Sequence, residues 1–174
     1  MLQTAVRPSG IESPFGEEEI IVSKTDLKGR ITYVNDVFLR VSRYSFSEIV
    51  GAPHSIIRHP DMPRCIFKLL WDTIQGGDEI FAYVLNMASN GDHYWVFAHV
   101  TPSRDASGQV IGYHSNRRKP RPEQLARVAP LYRSLLEQER QAADRKEGMH
   151  RAHATLMTML RDQETDYDRF VFSL

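Results

Sequence analysis

The chain has 174 residues, 41% of them hydrophobic, with 22 Lys and Arg against 22 Asp and Glu. That is enough for one ordinary core with an appendage, and the balanced charge gives no field to steer it toward nucleic acid or an anionic membrane. The single cysteine, Cys65, excludes an internal disulfide and a thiolate metal cluster and fits a reducing compartment, so the expected location is cytoplasmic.

Residues 1–19 carry two prolines, two glycines and a run of three glutamates, and read as a flexible arm without the apolar core of a signal peptide. No later run approaches the roughly 18 apolar residues of a membrane span. Ile20-Ile21-Val22, a turn over 25–29 and Ile31-Thr32-Tyr33-Val34 predict a hairpin. Asn35 or Asp36 then caps a helix with Val37, Phe38 and Val41 on one face, and Ser45-Phe46-Ser47-Glu48 is a capping box opening another, which Gly51 ends. Pro60 and Pro63 bracket the start of the strongest helical signal, with Phe67, Leu70, Trp71 and Ile74 on one stripe and Gly76-Gly77 as the stop. Asp61 is a natural N-cap for that helix if it begins near Met62.

Three strand signals follow, over 80–87, 93–101 and 109–116, joined by turns at Asn90-Gly91 and Asp105-Ala106-Ser107-Gly108. The initial hairpin buries too little to stand alone. The order therefore predicts an α+β fold, a five-stranded antiparallel sheet with short helices on one face, over 20–119. Residues 120–174 predict a C-terminal helical tail. Leu125, Val128, Tyr132 and Leu135 give it an apolar face worth roughly 6–10 kcal/mol when buried, with a homodimer favoured over docking back on the sheet. Pro130 is expected to kink this helix. The nearly all-polar stretch from Glu137 to His150 is expected to be exposed or partner-bound.

Between Ile20 and Arg118 stand Thr25-Asp26-Leu27, Asn35-Asp36-x-Phe38, Val41-Ser42-x-Tyr44 and Gly51-x-Pro53-His54. The two longest blocks are Arg58-His59-Pro60-Asp61-Met62-Pro63 and Asn90-Gly91-Asp92-His93-Tyr94-Trp95-Val96. On these motifs the stretch resembles the PAS sensor domains of the bacterial aerotaxis-receptor type. The resemblance implies a PAS fold with a ligand cavity between sheet and helices, holding FAD as a sensor of redox or energy state. It also implies a signal passed to a separate protein, a chemoreceptor or a kinase.

Residue by residue, the resemblance assigns Asn86 to the flavin edge, as in aerotaxis-type and light-oxygen-voltage sensors. Arg58, His59 and Asp61 fall in the block tied to FAD binding, with Arg58 suited to phosphate and His59 to a hydrogen bond. His114 occupies the strand position of the flavin-contacting glutamine of light-oxygen-voltage sensors and is expected to point into the cavity. Asn35 and Trp71 complete the expected set. Structural alternatives stand beside these roles: a strand-end Asn86, a capping Asp61 and a core His114.

Ile80 stands where the aerotaxis receptor has tryptophan, and Met87-Ala88-Ser89 replace its basic residues. Haem held by His114 or His54, a small metabolite, and a cofactor-free interaction module are the alternatives to FAD. His54 takes the place of the photoreactive cysteine of light-oxygen-voltage sensors, so cysteinyl-flavin photochemistry is not expected. His99 alternates with Trp95 and Phe97, and the resemblance implies that they lie on the face away from the cavity, where the arm or a second subunit can pack. There is no nucleophile elbow, phosphate loop, HExxH or kinase signature, and the chain is not expected to be an enzyme.

Overall fold

A computed structural model describes residues 6–174. The hairpin is β1 (Ile21–Thr25) and β2 (Ile31–Val34), followed by α1 (Asp36–Ser42), α2 (Phe46–Ile49), a 3-10 turn over His54–Ile57 and α3 (Arg64–Gln75). Then come β3 (Ile80–Met87), β4 (His93–Arg104) and β5 (Val110–Arg118), and the tail forms α4 (Pro122–Gln141), α5 (Arg145–Asp162) and α6 (Tyr167–Phe172). The sheet order is β2-β1-β5-β4-β3 with every pair antiparallel, so β1 is inserted against the last strand. This is the α+β five-stranded architecture expected from the element order.

Cross-strand register sorts the two faces, because residues paired directly across an antiparallel ladder share a face. Ser23, Val100 and Ser115 are aligned on one face, as are Ile21, Ala98 and Arg117. That face looks toward α3. The opposite face carries Phe81, Tyr83, Trp95 and Phe97, and the tail covers it. The Tyr132 hydroxyl donates to the Tyr83 carbonyl at 2.7 Å, Tyr132 lies 5.9 Å from the Trp95 ring, and Phe172 lies 4.7 Å from Phe81. Of the two fates open to the apolar stripe, docking back on the sheet is the one observed. Val128, Tyr132 and Leu135 are buried there, and α4 runs as one helix through Pro130.

Three expectations change. α3 begins at Arg64, not near Met62, because a residue preceding proline is driven out of the helical region, and Pro63 itself is extended (φ −60, ψ 134). The polar stretch from Glu137 to His150 is mostly exposed, as expected, but Glu139 and Gly148 within it are buried where α4 meets α5, and Ala152, Leu156 and Leu160 continue that seam. The arm, from Ser9 to Phe15, is hydrogen-bonded along the β3–β4 turn. Ser9 N–H donates to the Gly91 carbonyl at 2.9 Å, His93 N–H to the Ile11 carbonyl at 2.8 Å and Ser13 N–H to the His93 carbonyl at 2.8 Å. Gly91, at φ 92, allows this approach, since a Cβ there would lie 2.3 Å from the Arg7 carbonyl oxygen. Residues 1–5 of the arm lie outside the described residues.

Candidate functional site

A cavity of about 250 Å³ lies between α3 and the sheet. Leu70 and Ile74 of α3 and Val84, Ala98 and Val100 of the sheet make its walls apolar. Its polar groups come from Asn86 on β3, Ser115 and Arg117 on β5, Ser23 on β1 and His54 of the 3-10 turn.

Arg117 is the most unusual of these. It is 3% exposed and takes part in none of the ion pairs found among the described residues. One amino group donates to Ser23 Oγ at 2.8 Å and to His54 Nε2 at 2.6 Å, while Nη1 has no partner. The Phe38 ring lies 5.7 Å from the guanidinium carbon. Burial lowers the Arg117 pKa to about 10. Since arginine only donates, His54 Nε2 accepts, which leaves the imidazole proton on Nδ1. Burial first, and then the Arg117 and Arg58 charges, lower the His54 pKa to about 3. The residue retains some exposure, but its ring is enclosed by protein and neutral at physiological pH.

Three more polar atoms around this floor are buried without partners: Asn86 Nδ2, Ser115 Oγ and Arg58 Nε. Together with Arg117 Nη1 they form a set of hydrogen-bond donors around one apolar cavity. Buried donors left unpaired are destabilising, and such a cluster suits a ligand rich in acceptors.

The structure brings Asn86, Arg58 and Trp71 together at this cavity. Arg58 and Asn86 are joined by an isolated backbone bridge, and the Arg58 guanidinium sits 4.0 Å over the Phe67 ring. Trp71 meets Tyr113 edge to face at 5.6 Å.

Four expected residues are used differently. Asn35 is committed to backbone: Oδ1 accepts from Phe38 N–H and Val22 N–H, both at 3.0 Å, and Nδ2 donates to the Ile20 carbonyl at 2.8 Å. It caps α1 and ties it to β1. His59 is buried in its own turn, with Nδ1 accepting from Asp61 N–H at 3.1 Å. Asp61 neither lines the cavity nor caps α3; it is exposed and bonded to Arg140 at 2.9 Å. His114 borders the cavity as part of the sheet floor, but strand alternation turns its ring to the far face, where Nε2 lies 3.0 Å from Asn116 Oδ1. Its ladder partners are Lys24 and Thr101, whereas Ser23, Val100 and Ser115 form the cavity side.

This geometry also bears on haem, since His114 faces away and His54 Nε2 is occupied by Arg117. The described residues contain no group of three or more His, Cys, Asp or Glu placed to hold a metal ion. Cys65 is buried in α3, and burial and Glu139 hold its thiol far above the usual range. Arg117, Ser115 and Ser23 went unnoticed in the sequence. Alternation would have found Arg117: once Ser115 is placed inward, residue 117 must follow.

The fold and cavity define a module in which a sheet and helices enclose a small cavity. Residues 31–117 match the PAS fold family, and the chain belongs to it. It is 41% identical over 123 residues to the aerotaxis receptor of Escherichia coli (strain K12), a match covering 71% of this chain and 24% of the receptor. A nitrogen fixation regulatory protein of Klebsiella pneumoniae is 26% identical over 56% of this chain and 20% of its own length. The chain thus spans about a quarter or less of these curated relatives. Two solved structures share the fold. One is a PAS domain from Colwellia psychrerythraea (TM-score 0.53, 18% identity, 58% of this chain and 86% of that one). The other is a light-oxygen-voltage domain studied with a flavin analogue (TM-score 0.55, 20% identity, 64% and 83%). No helix of the described residues is long and apolar enough to cross a membrane.

Proposed function

We propose that this chain is a cytoplasmic redox sensor that binds a flavin, FAD being favoured, and passes its state to a separate signalling protein, a chemoreceptor or a kinase, by binding and not by catalysis. The observation that carries the proposal is the set of unfilled donors, Asn86 Nδ2, Ser115 Oγ and Arg117 Nη1, on the polar side of an apolar cavity. A flavin ring is flat and apolar with an acceptor-rich edge, which suits that donor set. A volume of about 250 Å³ suits the ring, so the remainder of FAD would lie outside the cavity, since sites for drug-sized ligands hold roughly 300–1,000 Å³. The names of two relatives, an aerotaxis receptor and a domain studied with a flavin analogue, point the same way.

When bound, the flavin supplies reversible electron uptake. The chain supplies the surroundings. Arg117 holds a fixed positive charge in a dry site, where its effect is larger than in water. His54, neutral, accepts from Arg117 and fixes the guanidinium without adding charge. Leu70, Ile74 and Val100 exclude water, and Asn86 offers its amide to the ligand's polar edge.

Equilibrium titration with FAD, followed by the quenching of flavin fluorescence, tests this reading. Wild type binds, and Asn86→Ala weakens binding by about tenfold, the value of one buried hydrogen bond. A wild-type chain that leaves FAD fluorescence unchanged contradicts it.

A further inference from the structure

We infer that Glu139 and Arg140, at the end of α4, form a latch that couples the ligand cavity to the C-terminal tail. Glu139 is 7% exposed, although it lies in a polar stretch. A carboxylate is buried only where partners compensate it. Here they are backbone groups from far along the chain: Oε2 accepts from Arg64 N–H at 3.0 Å and Oε1 from Cys65 N–H at 2.8 Å. These are the open N–H groups at the start of α3, whose own N-cap, Pro63, has no side-chain acceptor. Beside them Arg140 reaches Asp61 Oδ1 at 2.9 Å. The tail therefore grips the segment 61–65 at three points.

Just before that segment the chain belongs to the cavity. Arg58 lines it, with Nε unpartnered, and its backbone bridges Asn86. Met62 Sδ accepts from Leu85 N–H at 3.4 Å, which ties the middle of the segment to β3. α3, gripped at its first turn by Glu139, carries Leu70, Trp71 and Ile74 on the cavity wall. A ligand that draws in Arg58 or displaces α3 thus acts on the groups that hold Glu139. On the tail side, α5 crosses α4 so closely at Gly148 that a Cβ there would lie 2.3 Å from the Glu139 carbonyl oxygen. Movement at Glu139 is passed to α5. Coupling of this kind is reciprocal: whatever factor a ligand applies to latch opening, opening the latch applies to ligand affinity. The inference uses the sensor reading only to say that the cavity holds the signal, and it needs no particular ligand.

Hydrogen exchange on the ligand-free full chain, wild type against Glu139→Gln, is the test. The latch predicts exchange faster by about tenfold at Arg64 and Cys65, across α5, and also at the cavity wall, residues 67–74 and 84–86. Acceleration confined to 61–65 and α4 overturns it. Arg140→Ala, at an exposed pair, gives the same pattern at smaller size and keeps the test decisive if Glu139→Gln does not fold. Adding FAD to the wild type provides the reciprocal check: exchange over 142–172 changes on binding, and exchange there that is unchanged by bound FAD overturns the coupling. A wild type that does not bind FAD removes the flavin reading, while the ligand-free comparison still decides the latch.

Discussion

Replacing Arg117 by methionine separates two roles that ordinarily go together, stability and ligand binding. Burial lowers the Arg117 pKa from 12.5 to about 10. At 1.36 kcal/mol per unit, keeping the guanidinium charged in this site opposes folding by about 3 kcal/mol. Methionine keeps most of the apolar stem beside Phe38 and removes that charge, but forfeits the hydrogen bonds to Ser23 and His54. Those two together are worth about 3 kcal/mol. The terms nearly cancel, so Arg117→Met should change the stability of the ligand-free protein by less than about 1 kcal/mol, or a Tm shift within about 4 °C. Affinity for FAD should fall by at least tenfold, the loss of one charge-assisted donor. Thermal unfolding without ligand and FAD titration on the same sample read both. A loss of about 3–5 kcal/mol in stability, with FAD binding intact, would refute the reasoning.

Other perturbations have equally definite outcomes. His54, with a pKa lowered from 6.5 to about 3 in the folded state, leaves stability unaffected above about pH 6.5 and removes it as pH falls toward 3. The slope is about 1.4 kcal/mol per pH unit; chemical unfolding at pH 7 and pH 5 should differ by about 2 kcal/mol more in wild type than in His54→Gln, and equal differences would count against a neutral, enclosed His54. Tyr132→Phe leaves the Tyr83 carbonyl without its donor and should lower stability by about 1–3 kcal/mol, measured by urea unfolding, with the cavity side unchanged. Gly148→Ala forces the α4–α5 crossing apart and should release the tail to limited proteolysis while residues 20–118 stay protected. Asn35→Ala removes the α1 cap at a loss of about 0.5–2 kcal/mol and, the residue lying outside the cavity lining, should leave FAD affinity within twofold.

Much of the fold was legible because its signals are local. The turns at Asn90-Gly91 and Asp105–Gly108 delimit the three long strands, Ser45 and Glu48 form their capping box, and the apolar stripe of α3 faces the sheet. The misplaced residues share a different cause. His114 differs from Ser115 by one position, and in a strand one position reverses the face. That slip also hid Arg117, which lies one residue past the predicted end of the last strand at 116. Asp61 had the right chemistry for a cap, but Pro63 delays the helix, and the vacant N–H groups are met by Glu139, 74 and 75 residues further on. No local pattern announces a partner at that distance. Asn35 matched a family motif and also filled a capping site, and the capping geometry uses both ends of its side chain.

The most direct measurement is the absorption spectrum of the freshly purified protein, reconstituted with FAD and repeated on Asn86→Ala, Arg117→Met and His114→Ala. Bound-flavin bands in the wild type, weakened in the first two variants and retained in the third, are predicted by a cavity built around Asn86 and Arg117 with His114 turned away. A colourless wild type that takes up no FAD, or flavin binding lost in His114→Ala alone, contradicts that account.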